Sequence, residues 1–223
     1  PKRLMSHSTL KILVPLEHPD MEGGLVRFAA AMARTRGGEI HLTHILEDGE
    51  SGEEADSLLQ KAADIATDLG AKAIPHIAHG PDVTKGIQEA VAQWDCNMMI
   101  MGWYRGVDKR SVLTSRNRNL AKEVRLDTLI LKERDLGKAQ RILVPSGGGS
   151  HALTGVQIGY ELAQLWDAKL EVLRIARDRR CNPDDPILQR YCEQLRQESN
   201  LQLSLLNIDI PTTILPASDV VST

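Results

Sequence analysis

Apolar residues fall in two kinds of block along this chain, and their alternation predicts the fold. Nearly continuous apolar runs at residues 10–16, 39–46, 71–79, 97–101 and 128–132 suit strands buried on both faces, as in a parallel sheet. Between them, residues 25–35, 54–69, 81–94 and 115–125 read as helices. In the second of these, Ala55, Leu58, Leu59, Ala62, Ala66 and Leu69 fall on one face. Gly37-Gly38 and Gly70 supply stops, and Pro81 stands near a start. When every strand is followed by a helical crossover, the strands must run parallel and the connections right-handed. The expected fold is therefore an open, doubly wound α/β domain.

The pattern then repeats. Ile-Leu-Val-Pro occupies 12–15 and again 142–145, an offset of 130 that holds without a gap beyond the tetrapeptide. It carries Val26 onto Val156, Phe28 onto Ile158, Met32 onto Leu162, Ile40 onto Leu170, Leu42 onto Val172 and Asp48 onto Asp178. Such a long period reads as a duplicated domain rather than a solenoid repeat. The first copy is placed at 10–133 and the second at 140–223, joined by a polar linker. In the second copy a strand is expected at 141–145, a helix at 152–166, a strand at 170–176, a helix at 185–198 and a strand at 201–208. Residues 209–223 read as the approach to a third helix. The second copy is thus expected to be incomplete, cut before its fourth strand. With Pro1 in place of Met, this suggests a piece of a longer polypeptide. Its first strand would then have one open edge, which should be covered by copy one or by a second molecule and should drive self-association.

Composition narrows the class. With 42% hydrophobic and 26% charged residues, the chain has material for a core. No apolar run approaches the roughly 18 residues of a membrane-crossing helix, and no signal peptide is visible. A net charge of −3 gives no drive toward nucleic acid. Cys96, Cys181 and Cys192 form no CxxC pair and read as reduced, packed thiols.

Candidate chemistry concentrates at the carboxyl ends of the strands, where open α/β sheets bind ligands. Residues 16–20, 47–49 and 102–115 lie there in the first copy. The last stretch has a glycine closing a buried strand, then basic residues, then Ser/Thr at a helix start, an arrangement suited to an anion. The basic set Arg105, Lys109, Arg110, Arg116, Arg118, Lys122 and Arg125 reads first as a solvated face and secondarily as a phosphate or headgroup contact. Gly147-Gly148-Gly149-Ser150 reads first as a tight turn and secondarily as an anion nest. His41 and His44 are three apart on a strand, so they point to opposite faces and cannot share a metal; His76 and His79 fail likewise. His18, between Glu17 and Asp20, is a loop histidine with a pH-sensing alternative. No Ser/His/Asp or Cys/His set stands at the strand ends, so no enzyme and no metal site are expected.

The Ile-Leu-Val-Pro strand and the glycine closing strand four resemble the universal stress protein family over essentially the whole chain. The resemblance implies a five-stranded sheet of order 3-2-1-4-5, complete in copy one. Its nucleotide-binding members carry a glycine, two residues, a second glycine, nine residues, then Gly-Ser or Gly-Thr. Gly102 matches the first glycine, Arg105 stands at the second with Gly106 after it, Ser115 at the third, and Arg116 at the Ser/Thr. Where those members have an Asp after strand one, this chain has Glu17 following Leu16, and Gly147 in copy two. The resemblance thus implies a degenerate nucleotide or anion site of Leu16, Glu17, Gly102, Arg105, Gly106, Ser115 and Arg116, with ATP or AMP bound weakly or not at all. Val14-Pro15-x-x-x-Pro19, Gly102-Trp103-x-x-Gly106 and Val144-Pro145-x-x-Gly148-Gly149 are similar to the paired stress-protein domains at the cytoplasmic ends of membrane transporters, typically amino-acid permeases and cation or cation-chloride transporters. That implies a non-catalytic regulatory or assembly domain at the cytoplasmic face of the membrane. Its partners would be the membrane-embedded part of the same polypeptide and other copies of itself. The alternative is a soluble, nucleotide-binding tandem stress protein.

Overall fold

The computed structural model describes residues 9–17, 23–46, 51–103, 120–124, 126–132, 139–146, 150–176, 193, 197 and 212–216. The chain divides into two compact units, residues 1–136 and 137–223.

In the first unit, β1 (Lys11–Pro15), α1 (Gly23–Thr35), β2 (Glu39–Leu46), α2 (Gly52–Asp68), β3 (Lys72–His79), α3 (Val83–Gln93), β4 (Met98–Gly102) and β5 (Asp127–Leu131) follow in order. The strands form one parallel sheet of order β3-β2-β1-β4-β5, with helices on both sides. Ile12, Leu13 and Val14 of the central strand are fully buried, which is why their run shows no polar alternation. The buried stripe of α2 is Ala55, Leu58, Leu59, Ala62, Ala63 and Ala66, and it packs on β2 and β3. Asp82 caps α3 by accepting from the Lys85 amide at 2.9 Å, so the helix starts just after Pro81-Asp82. Asn97 ties β1 to β4 at their amino ends. Its Oδ1 accepts from the Lys11 amide, its Nδ2 donates to the Thr9 carbonyl, and its own amide donates to the Lys11 carbonyl, each at 3.0 Å.

The second unit has β6 (Arg141–Ser146), α4 (Ser150–Trp166), β7 (Lys169–Ala176) and β8 (Thr212–Pro216) in a parallel sheet of order β6-β7-β8. The 130-residue offset survives at the level of single hydrogen bonds. Lys11 pairs with Glu39 and Arg141 with Lys169. The Glu39 amide donates to Leu10 O and the Lys169 amide to Gln140 O; the Gly38 amide donates to Ala33 O and the Ala168 amide to Ala163 O. The left-handed turn residue is Gly37 in one copy (φ 60°) and Asp167 in the other (φ 51°). Val156, Ile158, Leu162, Ala163 and Val172 are buried, as are Val26, Phe28, Met32, Ala33 and Leu42.

The expectation fails at one place. Residues 212–216, read as the approach to a helix, form strand β8. Val172 pairs with Thr212 where Leu42 pairs with Pro75, so the third strand of the second sheet lies 137 residues on (75 to 212) rather than 130. The connection after β7 is longer, and a gap-free offset overshoots the register. Thr212, Thr213 and Ile214, flanked by Pro211 and Pro216, have the β-branched character of a short edge strand. The strand expected at 201–208 lies outside the described residues. So do most of the helices expected at 115–125 and 185–198, of which residues 120–123, Glu193 and Gln197 are helical.

Candidate functional site

The chain's order places β1 and β4 side by side although they are far apart in sequence, and it is at the carboxyl ends of strands at such a reversal that open α/β sheets hold their ligand crevice. β1 pairs with β2 along Lys11–Pro15, but with β4 through Ile12–Met98 and Leu13–Met99. Continued, that register brings Leu16 level with Gly102. The Leu16 side chain is 1% exposed and belongs to the core, so it offers the crevice backbone rather than side chain. Its amide donates to Thr43 O at 2.9 Å, and its carbonyl accepts from Nδ1 of the buried His44 at 2.9 Å. Glu17 follows, half-buried. Gly102 ends β4 opposite Leu131, and no described atom lies within 4 Å of where a Cβ would stand. Next to it the Trp103 amide donates to Leu131 O at 2.7 Å, and the Lys132 ammonium lies 5.2 Å from the Trp103 ring centroid.

Leu16, Glu17 and Gly102 therefore lie at the same carboxyl edge of the sheet. Arg105, Gly106, Ser115 and Arg116 lie outside the described residues, as do His18, Lys109, Arg110, Arg118, Arg125 and residues 147–149. Lys122 is exposed. Among the described residues nothing fills the space a Cβ on Gly102 would take, and at positions 105, 115 and 116 the sequence has Arg, Ser and Arg where the binding pattern has Gly, Gly and Ser or Thr.

A second constellation lies near the other end of the sheet, and the reading of the sequence missed it. His41 Nδ1 lies 3.0 Å from His76 Nε2 on the neighbouring strand. His41 Nε2 lies 3.2 Å from Glu39 Oε1, and Lys72 Nζ donates to Glu39 Oε2 at 2.6 Å. The Trp94 ring stacks on His76 with centroids 3.8 Å apart. Within one strand the two histidines of each pair do point apart. The contact is between strands: His41 is registered with Ile74, so His76, two further on, shares its face. Two His-x-x-His patterns on adjacent strands were the available signal. Burial pushes both imidazoles below their ordinary value. For His41, Glu39 pulls the other way while Lys11 and Lys72 add to the depression; for His76, His41 adds to it. Lys72 is the main reason that Glu39 is held below the usual carboxylate value, against its own burial. Burial pushes the Cys96 thiol up to about 12, so it is protonated and inert at neutral pH. Cys181 and Cys192 lie outside the described residues. Among the described residues no group of three or more His, Cys, Asp or Glu is placed to hold a metal ion. Among them, too, no helix is long and apolar enough to cross a membrane.

The same architecture occurs in solved structures. A putative universal stress protein from Pseudomonas aeruginosa matches at TM-score 0.70 and 16% identity, covering 94% of this chain and 75% of that one. The cytoplasmic domain of a prokaryotic cation chloride cotransporter matches at TM-score 0.66 and 14% identity, covering 94% of this chain and 78% of that one. A universal stress protein from Archaeoglobus fulgidus matches at TM-score 0.47 and 23% identity, covering 54% of this chain and 92% of that one. No curated protein matches the sequence. The family model for universal stress proteins matches residues 9–132, the whole of the first sheet and its helices. The chain belongs to the universal stress protein family.

Proposed function

We propose that this chain is a non-catalytic regulatory or assembly domain at the cytoplasmic face of a membrane transporter of amino acids or ions. It would work against the membrane-embedded part of the same polypeptide and as a homo-oligomer, with no role in binding nucleic acid. The observation that carries the reading is the paired build. Two units repeat one strand-helix-strand plan in the same strand register, and the cotransporter's cytoplasmic domain shares the fold along 94% of this chain. The three Pro- and Gly-containing motifs at 14–19, 102–106 and 144–149 support it, as do Arg105, Ser115 and Arg116 at positions where the nucleotide-binding pattern has Gly, Gly and Ser or Thr. Reading the coding frame on both sides of this chain tests the attachment. Several membrane-spanning segments in the same frame are expected; a frame holding stress-protein units alone would overturn it.

A second reading, a soluble nucleotide-binding tandem protein, is favoured by one feature: Gly102, where among the described residues nothing fills the space a Cβ would take. Mass spectrometry of small molecules released from the denatured protein separates the two. The transporter reading expects no stoichiometric ATP or AMP.

A further inference from the structure

The histidine contact joins three elements. β2 supplies Glu39 and His41, β3 supplies Lys72 and His76, and the C-terminal end of α3 supplies Trp94. Glu39 is ionised beside Lys72, so it accepts, and His41 Nε2–H must donate to it. In a neutral ring this leaves Nδ1 as an acceptor, and His76 Nε2–H donates to it. With neutral rings, this assignment satisfies all three contacts. His76 in turn is the platform for the Trp94 ring, and Trp94 is the residue where α3 ends: its amide donates to Ala90 O at 3.1 Å, and Asp95 follows at φ 51°. The end of α3 is also held from β1, where Lys11 Nζ donates to the Trp94 carbonyl at 3.3 Å.

The charged groups around the pair are unequal to two further protons. β1 presents Lys11, β2 presents Glu39 and β3 presents Lys72; the turn after α3 adds Asp95, beside the protonated thiol of Cys96. Glu39 is bonded to His41, and Lys72 already shares it. A first proton is tolerated. On His76 Nδ1 it leaves the Nε2–H bond to His41 intact and puts a cation against the Trp94 face, which is favourable. A second proton must go on His41 Nδ1. That turns the acceptor into a donor and sets two like charges head to head across a 3.0 Å contact. β3 is the edge strand of its sheet, with β2 its one strand neighbour to hold it as the contact breaks.

We propose that His41, His76 and Trp94 form an acid-released latch that fastens the end of α3 to the β2–β3 margin of the first unit. The latch is closed while at most one of the two imidazoles is protonated to imidazolium, and open when both are. It stands on this geometry alone and is independent of the transporter reading. The burial that depresses both imidazoles sets the opening on the acid side of the ordinary imidazole value.

Hydrogen–deuterium exchange on the whole chain tests it, at about pH 7.5 and about pH 5, either side of the ordinary imidazole value, with rates corrected for the intrinsic pH dependence of exchange. Opening should speed exchange at residues 72–79 and 90–96 about 10-fold or more on the acid side, while residues 141–146 and 169–176 change little. His76→Gln keeps a neutral donor for His41 without a second charge, and should reduce the acid response to within about 2-fold. An unchanged exchange pattern in the unmodified protein, or a full response in His76→Gln, would overturn the latch. Should that variant fold poorly, imidazole nitrogen shifts of the unmodified protein decide. Two linked steps, both below the ordinary value of about 6.5, support the latch, and two independent titrations at or above it contradict it.

Discussion

Leu13 and Leu143 are the same residue of the duplicated plan, 130 positions apart, yet Leu13 is 0% exposed and Leu143 is 56% exposed. The local structures agree: each is the third residue of the opening strand, with the same register to the next strand. The neighbours differ. β1 is flanked by β2 and β4, and Leu13 belongs to the core cluster that also holds Ile45 of β2, Ile87 and Ala90 of α3, and Met99 of β4. Among the described residues, β6 pairs with β7 alone and is the edge of its sheet. Ile142 and Val144 turn toward α4, where Val144 packs with Val156, while Arg141, Leu143 and Pro145 point the other way and are exposed. An identical apolar run is thus a core strand in one unit and half a surface in the other. Burial is set by what arrives across the sheet, not by the strand's own residues. This open face is where the proposed assembly role would be exercised.

The largest test of that comparison is a pair of truncations. Leu13→Ala should cost about 2–5 kcal/mol of unfolding free energy, because it leaves a cavity in a closed core. Leu143→Ala should stay within about 0.5 kcal/mol, as for a surface site. Urea melts of both variants check this, and equal losses would mean that Leu143 is covered in solution. Light scattering adds the association arm: the unmodified chain should self-associate with rising concentration, and Leu143→Lys should weaken that tendency.

A smaller effect is expected where the two copies differ by one methyl group. A Cβ on Gly38 would lie 2.4 Å from the Leu10 carbonyl oxygen, a backbone atom that cannot step aside cheaply. The equivalent residue in the second unit is Ala168. Gly38→Ala should destabilise by about 1–3 kcal/mol through overpacking. Ala168→Gly should cost no more than about 1 kcal/mol, through the freer unfolded chain. Thermal melts of the two variants check the asymmetry.

Acid should separate the units as well. His41 and His76 have depressed values in the folded state, so the unfolded chain binds more protons as pH falls below about 6.5, and stability present above that value is lost. Glu39 is depressed from 4.5, so its contribution is present above that value and is lost as pH falls below it. In the second unit the equivalents of Glu39 and His41 are Lys169 and Glu171, and Glu171 pairs with Arg141 at 3.2 Å. The first unit should therefore lose protection first on acidification, followed by the Trp94 fluorescence and by peptide-resolved exchange.

Much of the fold was legible because its strands are apolar blocks of the length a buried parallel strand requires, and because the repeat fixed where the second set begins. The sheet order came with the family resemblance. β8 was not legible, since an offset says nothing about a connection that grew between the copies. Where the ends of β1 and β4 lie was legible, because topology dictates it, and Leu16, Glu17 and Gly102 stand at those ends. The histidine cluster was not, because pairing His41 with His76 depends on the β2–β3 register, which within-strand spacing does not contain.

The proposal that this chain serves assembly rather than nucleotide binding is tested most directly by calorimetric titration of the chain with ATP. The account predicts weak or absent binding, because Arg105, Ser115 and Arg116 stand where the phosphates would need glycines and a small hydroxyl residue. A micromolar affinity that Arg116→Ala abolishes would contradict it.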